Sequence, residues 1–357
     1  MESAQSLRRV LGQFPRVSLA DLPTRLDKLE NLSRRLEVFG VFVKRDDQTG
    51  LAFGGNKARK LDFLMANVMN RGADCIITWA GVQSNWCRQV AAAAAKLDIR
   101  TVLALFKGPT SPEGDDGNLL LDRIFDADIR VFDATGIDNM LEFESVRHIV
   151  DPIADEMRRA GLRPYVAPIG GSMVEASMTE PWGTLGYVEA FVELVEQAEQ
   201  LGVAIDSVVV ATGSGGTQAG LLAGAKLLSP ATRIVGISVY AGKEKATEYV
   251  RSVANSTLEL LSSSVRVAED DVIVMDDYLM EGYGVFVPEV GDAIGLIAES
   301  EGLLLDPVYT GKSMTALLDL IEKGYFREGE NIVFLHTGGT PALFPYRAQV
   351  LDHLARS

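Results

Sequence analysis

Three segments of this 357-residue chain set chemically capable side chains beside glycines. The first reads Gly54-Gly55-Asn56-Lys57-Ala58-Arg59-Lys60-Leu61. Two glycines ahead of a helical pattern permit a tight turn and a close approach to a ligand. Lys57 follows them near the helix start. A cation there meets the positive end of the helix dipole, with Arg59 and Lys60 close in sequence. Both effects disfavour an ammonium. The neutral amine is the form that adds to a carbonyl. The second segment is Ala80-Gly81-Val82-Gln83-Ser84-Asn85-Trp86-Cys87-Arg88. It joins a strand pattern to a helix pattern, and such a turn points free backbone N–H groups outward, suited to a carboxylate or phosphate. Ser84 or Asn85 would cap the helix. The third is Thr212-Gly213-Ser214-Gly215-Gly216-Thr217-Gln218-Ala219-Gly220. Glycines and hydroxyls at a strand–helix junction make a phosphate cradle of backbone N–H groups. This one lacks the Lys-Ser/Thr ending of an ATP-binding P-loop. Taken singly, the three also read as a turn, a capped helix and a β-to-α loop.

The elements that must position these segments alternate along the chain. Strand patterns cover 38–43, 74–79, 100–106, 129–132, 206–211, 233–239 and 331–336, with a strand-like run at 303–305. Helical patterns cover 62–71, 85–97, 117–125, 144–160, 184–201, 217–228, 290–301 and 311–323. This alternation predicts an α/β chain with parallel sheets covered by helices on both faces. The uninterrupted apolar runs SVVVA and NIVFLH fit strands buried on both sides. Glycine- and proline-rich seams near Gly54-Gly55 and at 167–171 predict two domains. Residues 1–57 and 168–357 would form a large cofactor-binding domain, and 58–167 a small inserted one.

Composition narrows the function. Hydrophobic residues make up 47% and charged residues 23%, as in ordinary globular proteins. The formal charge of −15 argues against nucleic acid as a partner. No apolar run reaches the roughly 20 residues of a membrane helix, and the N-terminus lacks a secretory core. Two cysteines, Cys75 and Cys87, give neither a disulfide framework nor a zinc site. A cytoplasmic protein with reduced thiols and no metal is expected. His148 and His353 lie outside any motif and are expected to face solvent.

An anchored lysine, an anion-binding turn and a phosphate cradle together fit pyridoxal 5'-phosphate. Six motifs, in order, are KRDD at 44–47, GGNKARKL at 54–61, QSN at 83–85, TGSGGTQAG at 212–220, DPVYTGK at 306–312 and HTGG at 336–339. With them the chain resembles the fold type II (tryptophan synthase β-like) pyridoxal-phosphate enzymes. Within these it is similar to the aminocyclopropane-carboxylate deaminase and D-cysteine desulfhydrase group. The resemblance implies two domains, each a mainly parallel twisted sheet flanked by helices, and a homodimer. It implies that Lys57 carries the cofactor covalently and that Asn85 bonds its ring hydroxyl. Backbone groups and hydroxyls of Thr212, Gly213, Ser214, Gly215, Gly216 and Thr217 would hold the phosphate. Ser84, Asn85 and the Trp86 backbone would hold a substrate carboxylate. Tyr283 and Tyr309 would be the active-site tyrosines, and Thr310 would face the pyridine nitrogen. Lys44 sits beside an acidic pair and is expected to be ion-paired, which leaves Lys57 ahead of Lys44 and Lys60.

Two departures bear on the substrate. Trp86 and Cys87 stand where the group carries smaller or more polar residues, and a bulky indole would reshape the substrate side. Thr310 follows Tyr309 where the deaminase branch has a glutamate. A carboxylate there keeps the ring nitrogen protonated and the electron sink strong. A neutral hydroxyl suits a reaction in which a good β leaving group departs early. The expected activity is therefore β-elimination and deamination of a small β-substituted amino acid, D-cysteine foremost, giving pyruvate, ammonia and sulfide. Aminocyclopropane-carboxylate deamination and cysteate sulfo-lyase activity are the nearest alternatives. A nucleotide-binding dehydrogenase is disfavoured because the first acid beyond Gly220 is Glu244, after another strand. A non-catalytic cofactor-binding protein is disfavoured by an intact Lys57.

Overall fold

The computed structural model describes residues 3–36 and 40–355. Its first elements are α1 (Ala4–Leu11), β1 (Leu26–Lys28), α2 (Glu30–Leu36), β2 (Gly40–Lys44), α3 (Lys57–Asn70), β3 (Cys75–Gly81) and α4 (Asn85–Lys96). Next come β4 (Arg100–Lys107), α5 (Gly117–Ile124), β5 (Asp128–Asp133), α6 (Phe143–Arg159), β6 (Pro164–Val166), α7 (Trp182–Leu201), β7 (Ser207–Thr212) and α8 (Gly216–Leu228). The chain ends with β8 (Arg233–Ser238), α9 (Lys243–Leu260), β9 (Ile273–Met275), α10 (Pro288–Glu301), α11 (Thr310–Glu322), β10 (Asn331–Leu335) and α12 (Arg347–Leu354).

Two sheets result. One has the order β1-β2-β10-β7-β8-β9, parallel except for the β1–β2 pair. The other, β5-β4-β3-β6, is wholly parallel. Alternate residues of each strand enter different cores, as the pleat requires. Val208 and Val210 pack with α7, α8 and α9, whereas Val209 packs with α10 and α11. Leu103 and Leu105 join the core that includes α3 and α4, whereas Val102, Ala104 and Phe106 face α6. Helices on both faces explain the apolar runs. Cys75 and Cys87 are buried, unpaired thiols in the four-stranded sheet and in α4.

Several expectations change. Residues 38 and 39 of the predicted first strand lie outside the described residues. The 62–71 helix begins at Lys57, so the lysine is its first residue. Residues 303–305 form no strand, because they run unpaired from the end of α10 toward α11. His148 is exposed as expected. His353 instead packs against α10, with Nε2 2.9 Å from Asp292 Oδ1.

A buried ionic network fixes the start of α3. Arg59 donates to both carboxylate oxygens of Asp46, at 2.9 Å, and to both of Glu193, at 3.0 Å. Lys44 pairs with Glu193 and also reaches Gln197 and the Thr24 carbonyl. Tyr187 completes it with a 2.7 Å bond to Asp46. Lys44 is thus ion-paired as expected, though with Glu193 of α7 rather than with the acids next to it in sequence. The network links β2, α3 and α7, two residues from Lys57.

Candidate active site

Strand ends bring the three glycine-bearing segments together. In parallel sheets, ligand sites form beyond the carboxyl ends of the strands. Here β7 delivers the 213–215 turn and β3 delivers the 82–84 turn. Lys57, Ser84, Asn85, the whole 212–217 segment, Tyr283 and Tyr309 line one cleft. It encloses about 820 Å³ of empty space, open mouth included. Among the described residues no aspartate or glutamate lines it.

Lys57 Nζ lies 2.8 Å from Asn56 Oδ1 and has no ion pair among the described residues. Its pKa is lowered to about 8, first by burial and then by the Arg88 charge, against an opposing pull from Asp306. Sequence reasoning attributes this shift to neighbouring Arg59 and Lys60 and to the helix dipole. Arg59 instead points into its acidic network, so burial and Arg88 take that part. Arg88 also holds the preceding loop, bonding the carbonyls of Ala52 and Gly54.

The 213–217 segment is shaped as a cradle. Gly215, at φ +79°, caps α8 in a conformation that a side chain would strain. A methyl on Gly216 would fall 2.2 Å from Ser172 Oγ and 3.0 Å from Lys60 Nζ. The N–H groups of Gly213, Ser214 and Gly215 have no backbone acceptor among the described residues. Those of Gly216 and Thr217 lie in the first turn of α8, where no intrahelical acceptor exists. Thr217 Oγ1 accepts from Asn56 Nδ2 at 3.0 Å, so its proton is free for a ligand. Thr212 departs from expectation, because its hydroxyl donates to Gln218 Oε1 at 2.8 Å. That hydroxyl is spent on holding the loop.

Lys60 is the residue sequence reasoning passed over. It is fully buried, also lines the cleft, and makes only weak contacts to Gly170 O and Ser172 Oγ, at 3.3 and 3.4 Å. Burial, then the neighbouring Lys57, push its ammonium well below the ordinary lysine range. Its spacing of three from Lys57 puts both on one helix face, a signal the sequence carried. Among the described residues no carboxylate lines the cleft beside these two amines and the five free N–H groups, an array of donors suited to an anion. A phosphate fits the cradle and Lys60, while an aldehyde fits Lys57.

The second turn also takes shape. Ser84 caps α4 through Oγ, accepting from the Cys87 N–H at 3.2 Å, and keeps its own proton available. The N–H groups of Asn85 and Trp86 occupy the unpaired first turn. Asn85 Oδ1 accepts from Asn118 Nδ2 at 3.0 Å, which leaves the Asn85 Nδ2 as its free polar end. The Trp86 indole is a correction: it does not line the cleft. It is buried in the α3–α4 core, with Nε1 donating to Thr78 Oγ1 at 2.7 Å and its ring against Gly171. Only the Trp86 backbone faces the turn. A Trp86→Phe variant should therefore keep KM within about twofold while losing roughly 1–3 kcal/mol of stability in a denaturant titration.

The tyrosines meet across the cleft. Tyr283 Oη and Tyr309 Oη are 2.6 Å apart, and the Tyr240 ring stacks edge-on against Tyr283 at 5.5 Å. Tyr240 was not foreseen. Burial pushes the Tyr283 phenol up to about 12 and the Tyr309 phenol well above its ordinary value, so both carry their protons at neutral pH. Thr310 is the other correction. It is fully buried, does not line the cleft, and its hydroxyl donates to Asp306 Oδ1 at 2.6 Å. Asp306 also accepts from the N–H groups of Val308, Tyr309 and Thr310, closing the first turn of α11. The Thr310 proton is thus committed to a carboxylate and is not offered to a ring nitrogen.

Comparison with known proteins agrees with this chemistry. The family described as "Pyridoxal-phosphate dependent enzyme" matches residues 17–338. A D-cysteine desulfhydrase of Yersinia enterocolitica is 42% identical over 97% of this chain and 100% of its own. A Pyrococcus abyssi protein provisionally named a 1-aminocyclopropane-1-carboxylate deaminase is also 42% identical, over 97% of this chain and 98% of its own. The crystal structure of an ACC deaminase homologue superposes with a TM-score of 0.85 at 39% identity, covering 97% of this chain and 98% of that one. Likeness across nearly the whole length, around a cleft that fits a phosphate at one end and a carbonyl at the other, makes this chain a pyridoxal-phosphate-dependent enzyme of the tryptophan synthase β-like fold type II.

Proposed function

We propose that the enzyme catalyses β-elimination from a small β-substituted amino acid, D-cysteine foremost, releasing pyruvate, ammonia and sulfide. The observation that carries this reading is a cleft with two lysines and hydrogen-bonded phenols and, among the described residues, no carboxylate in its lining. The names of the D-cysteine desulfhydrase relatives support the substrate.

The roles follow from the donors. N–H groups of residues 213–217, the Thr217 hydroxyl and Lys60 hold the cofactor phosphate. The Asn85 Nδ2 donates to the ring hydroxyl. The Ser84 O–H and the Asn85 and Trp86 N–H groups bind the substrate carboxylate. The cofactor, when bound, supplies an electron-withdrawing ring that accepts the electron pair left at Cα. Lys57 would hold the cofactor's aldehyde group, and its Nζ, when free, would be the base that removes the proton at Cα. Tyr283 and Tyr309, protonated at neutral pH, donate a proton to the departing sulfur. Thr310, buried and bonded to Asp306, puts no carboxylate of its own where the deaminase branch carries its glutamate. The same reading takes residues 58–167 as a small domain inserted between 1–57 and 168–357, in a cytoplasmic homodimer. Exposed Leu120, Ile124 and Phe344 are apolar surface that such a dimer contact would cover.

The test compares D-cysteine, L-cysteine, cysteate, β-chloroalanine and aminocyclopropane carboxylate as substrates of the parent enzyme. Pyruvate and sulfide from D-cysteine, with slow ring opening in the parent, are expected. Fast ring opening with no elimination from either D-cysteine or β-chloroalanine would overturn the proposal.

A further inference from the structure

Lys312 is fully buried, and no carboxylate pairs with it among the described residues. It occupies the first turn of α11, where a cation opposes the helix dipole. Neither helix stability nor core packing accounts for an ammonium in that place. Its Nζ donates to two backbone carbonyls, Leu279 O at 2.9 Å and Gly282 O at 2.7 Å. Those carbonyls bracket Met280, a non-glycine residue at φ +55°, ψ −128°. Such a conformation persists only where its surroundings over-determine it. Gly282 and Gly284 follow at φ +124° and +72°, and Tyr346 Oη donates to Gly284 O at 2.6 Å. Tyr283 sits in the middle of this irregular stretch. Tyr309 immediately precedes the helix that carries Lys312.

We infer that Lys312 is a positioning residue whose ammonium ties the 279–284 loop to α11, bringing the Tyr283 hydroxyl to the Tyr309 hydroxyl. One side chain thereby sets the spacing of two phenols that belong to separate parts of the chain. The tie itself is independent of chemistry at the phenols. Its consequence for turnover rests on the proposed role of Tyr283 and Tyr309 as proton donors.

The experiment separates the two. Amide hydrogen exchange is measured on the holoenzyme of the parent, Lys312→Met and Lys312→Gln. Loss of the tie in Lys312→Met should speed exchange across residues 279–285 by about tenfold or more, with the interior of α11 unchanged. Lys312→Gln keeps a donor and should recover part of that protection. Unchanged exchange in Lys312→Met would overturn the tie. A cycle with Tyr283→Phe then tests the consequence. Lys312→Met should lower kcat by about tenfold with KM within about threefold. Adding it to Tyr283→Phe should cost less than about twofold more, because both changes remove one function. Losses that multiply would overturn action through Tyr283. A Tyr283→Phe enzyme with parental turnover would overturn the role of Tyr283 itself and any catalytic consequence of the tie, which exchange measures separately. Should Lys312→Met fail to fold, Lys312→Gln carries the same cycle.

Discussion

A Lys57→Ala protein is expected to bind pyridoxal phosphate without covalent attachment and to lose at least about a thousandfold in turnover. The loss combines the covalent link with general-base catalysis at Cα, which alone contributes about 10²–10⁴-fold. The measurements are borohydride trapping followed by peptide mapping, and a steady-state assay. A reducible adduct at Lys60 with near-parental rate would move the assignment to that lysine. Loading of the apoprotein gives a companion test. Only the neutral amine adds to the aldehyde. With Lys57 at about 8, its neutral fraction climbs through that pH and then saturates. Covalent loading should therefore accelerate from pH 6 to pH 8 and level off above, whereas an ordinary lysine would keep accelerating beyond pH 10.

Replacing Arg59 with methionine should cost roughly 3–5 kcal/mol in a denaturant titration. Asp46 and Glu193 are buried, and five side-chain bonds from the guanidinium to Asp46, Glu193 and Thr24 vanish together. Lys44 remains to meet Glu193, but Asp46 keeps only hydroxyl partners, Thr24 and Tyr187. The sign with pH follows from the direction of the shift. Arg59 and Lys44 hold the Asp46 and Glu193 carboxyls below their ordinary values. Their contribution is present above the unfolded carboxylate range and is lost as pH falls through the depressed folded values. The stability gap between parent and Arg59→Met should accordingly narrow in acid. A gap that stays constant down to acid unfolding would show that packing, not charge pairing, accounts for the loss.

The parallel sheets and the three glycine turns were legible because each depends on local signals: uninterrupted apolar strands, then glycine at the junction, then helix. What escaped depends on side chains meeting from distant segments. Trp86 follows Ser84 and Asn85, which line the cleft, yet a helix turns about 100° per residue, and that rotation buries its indole against Thr78 and Leu64. Thr310 reads as a free hydroxyl until Asp306, four residues earlier, is seen to bond it. Lys60 looks like surface charge beside Lys57 until the 170–172 turn closes over it. One miss was avoidable. Helix α9 buries positions 246, 249, 250, 253, 254, 257 and 258, a stripe apolar but for Thr257 and hidden among charged and hydroxyl residues.

The burial of both cysteines bears on the proposed chemistry, in which a thiol substrate enters the cleft. The Cys75 thiol is pushed up to about 11 and Cys87 well above its usual range, burial being the first cause in each. Thiolate is the species that exchanges with disulfides and is captured by oxidants. Neither residue presents it at neutral pH. Under the proposed activity, with a thiol amino acid taken in and sulfide given off, neither cysteine would offer a thiolate to form mixed disulfides or persulfides with the traffic through the cleft, and turnover should withstand oxidised glutathione without added reductant.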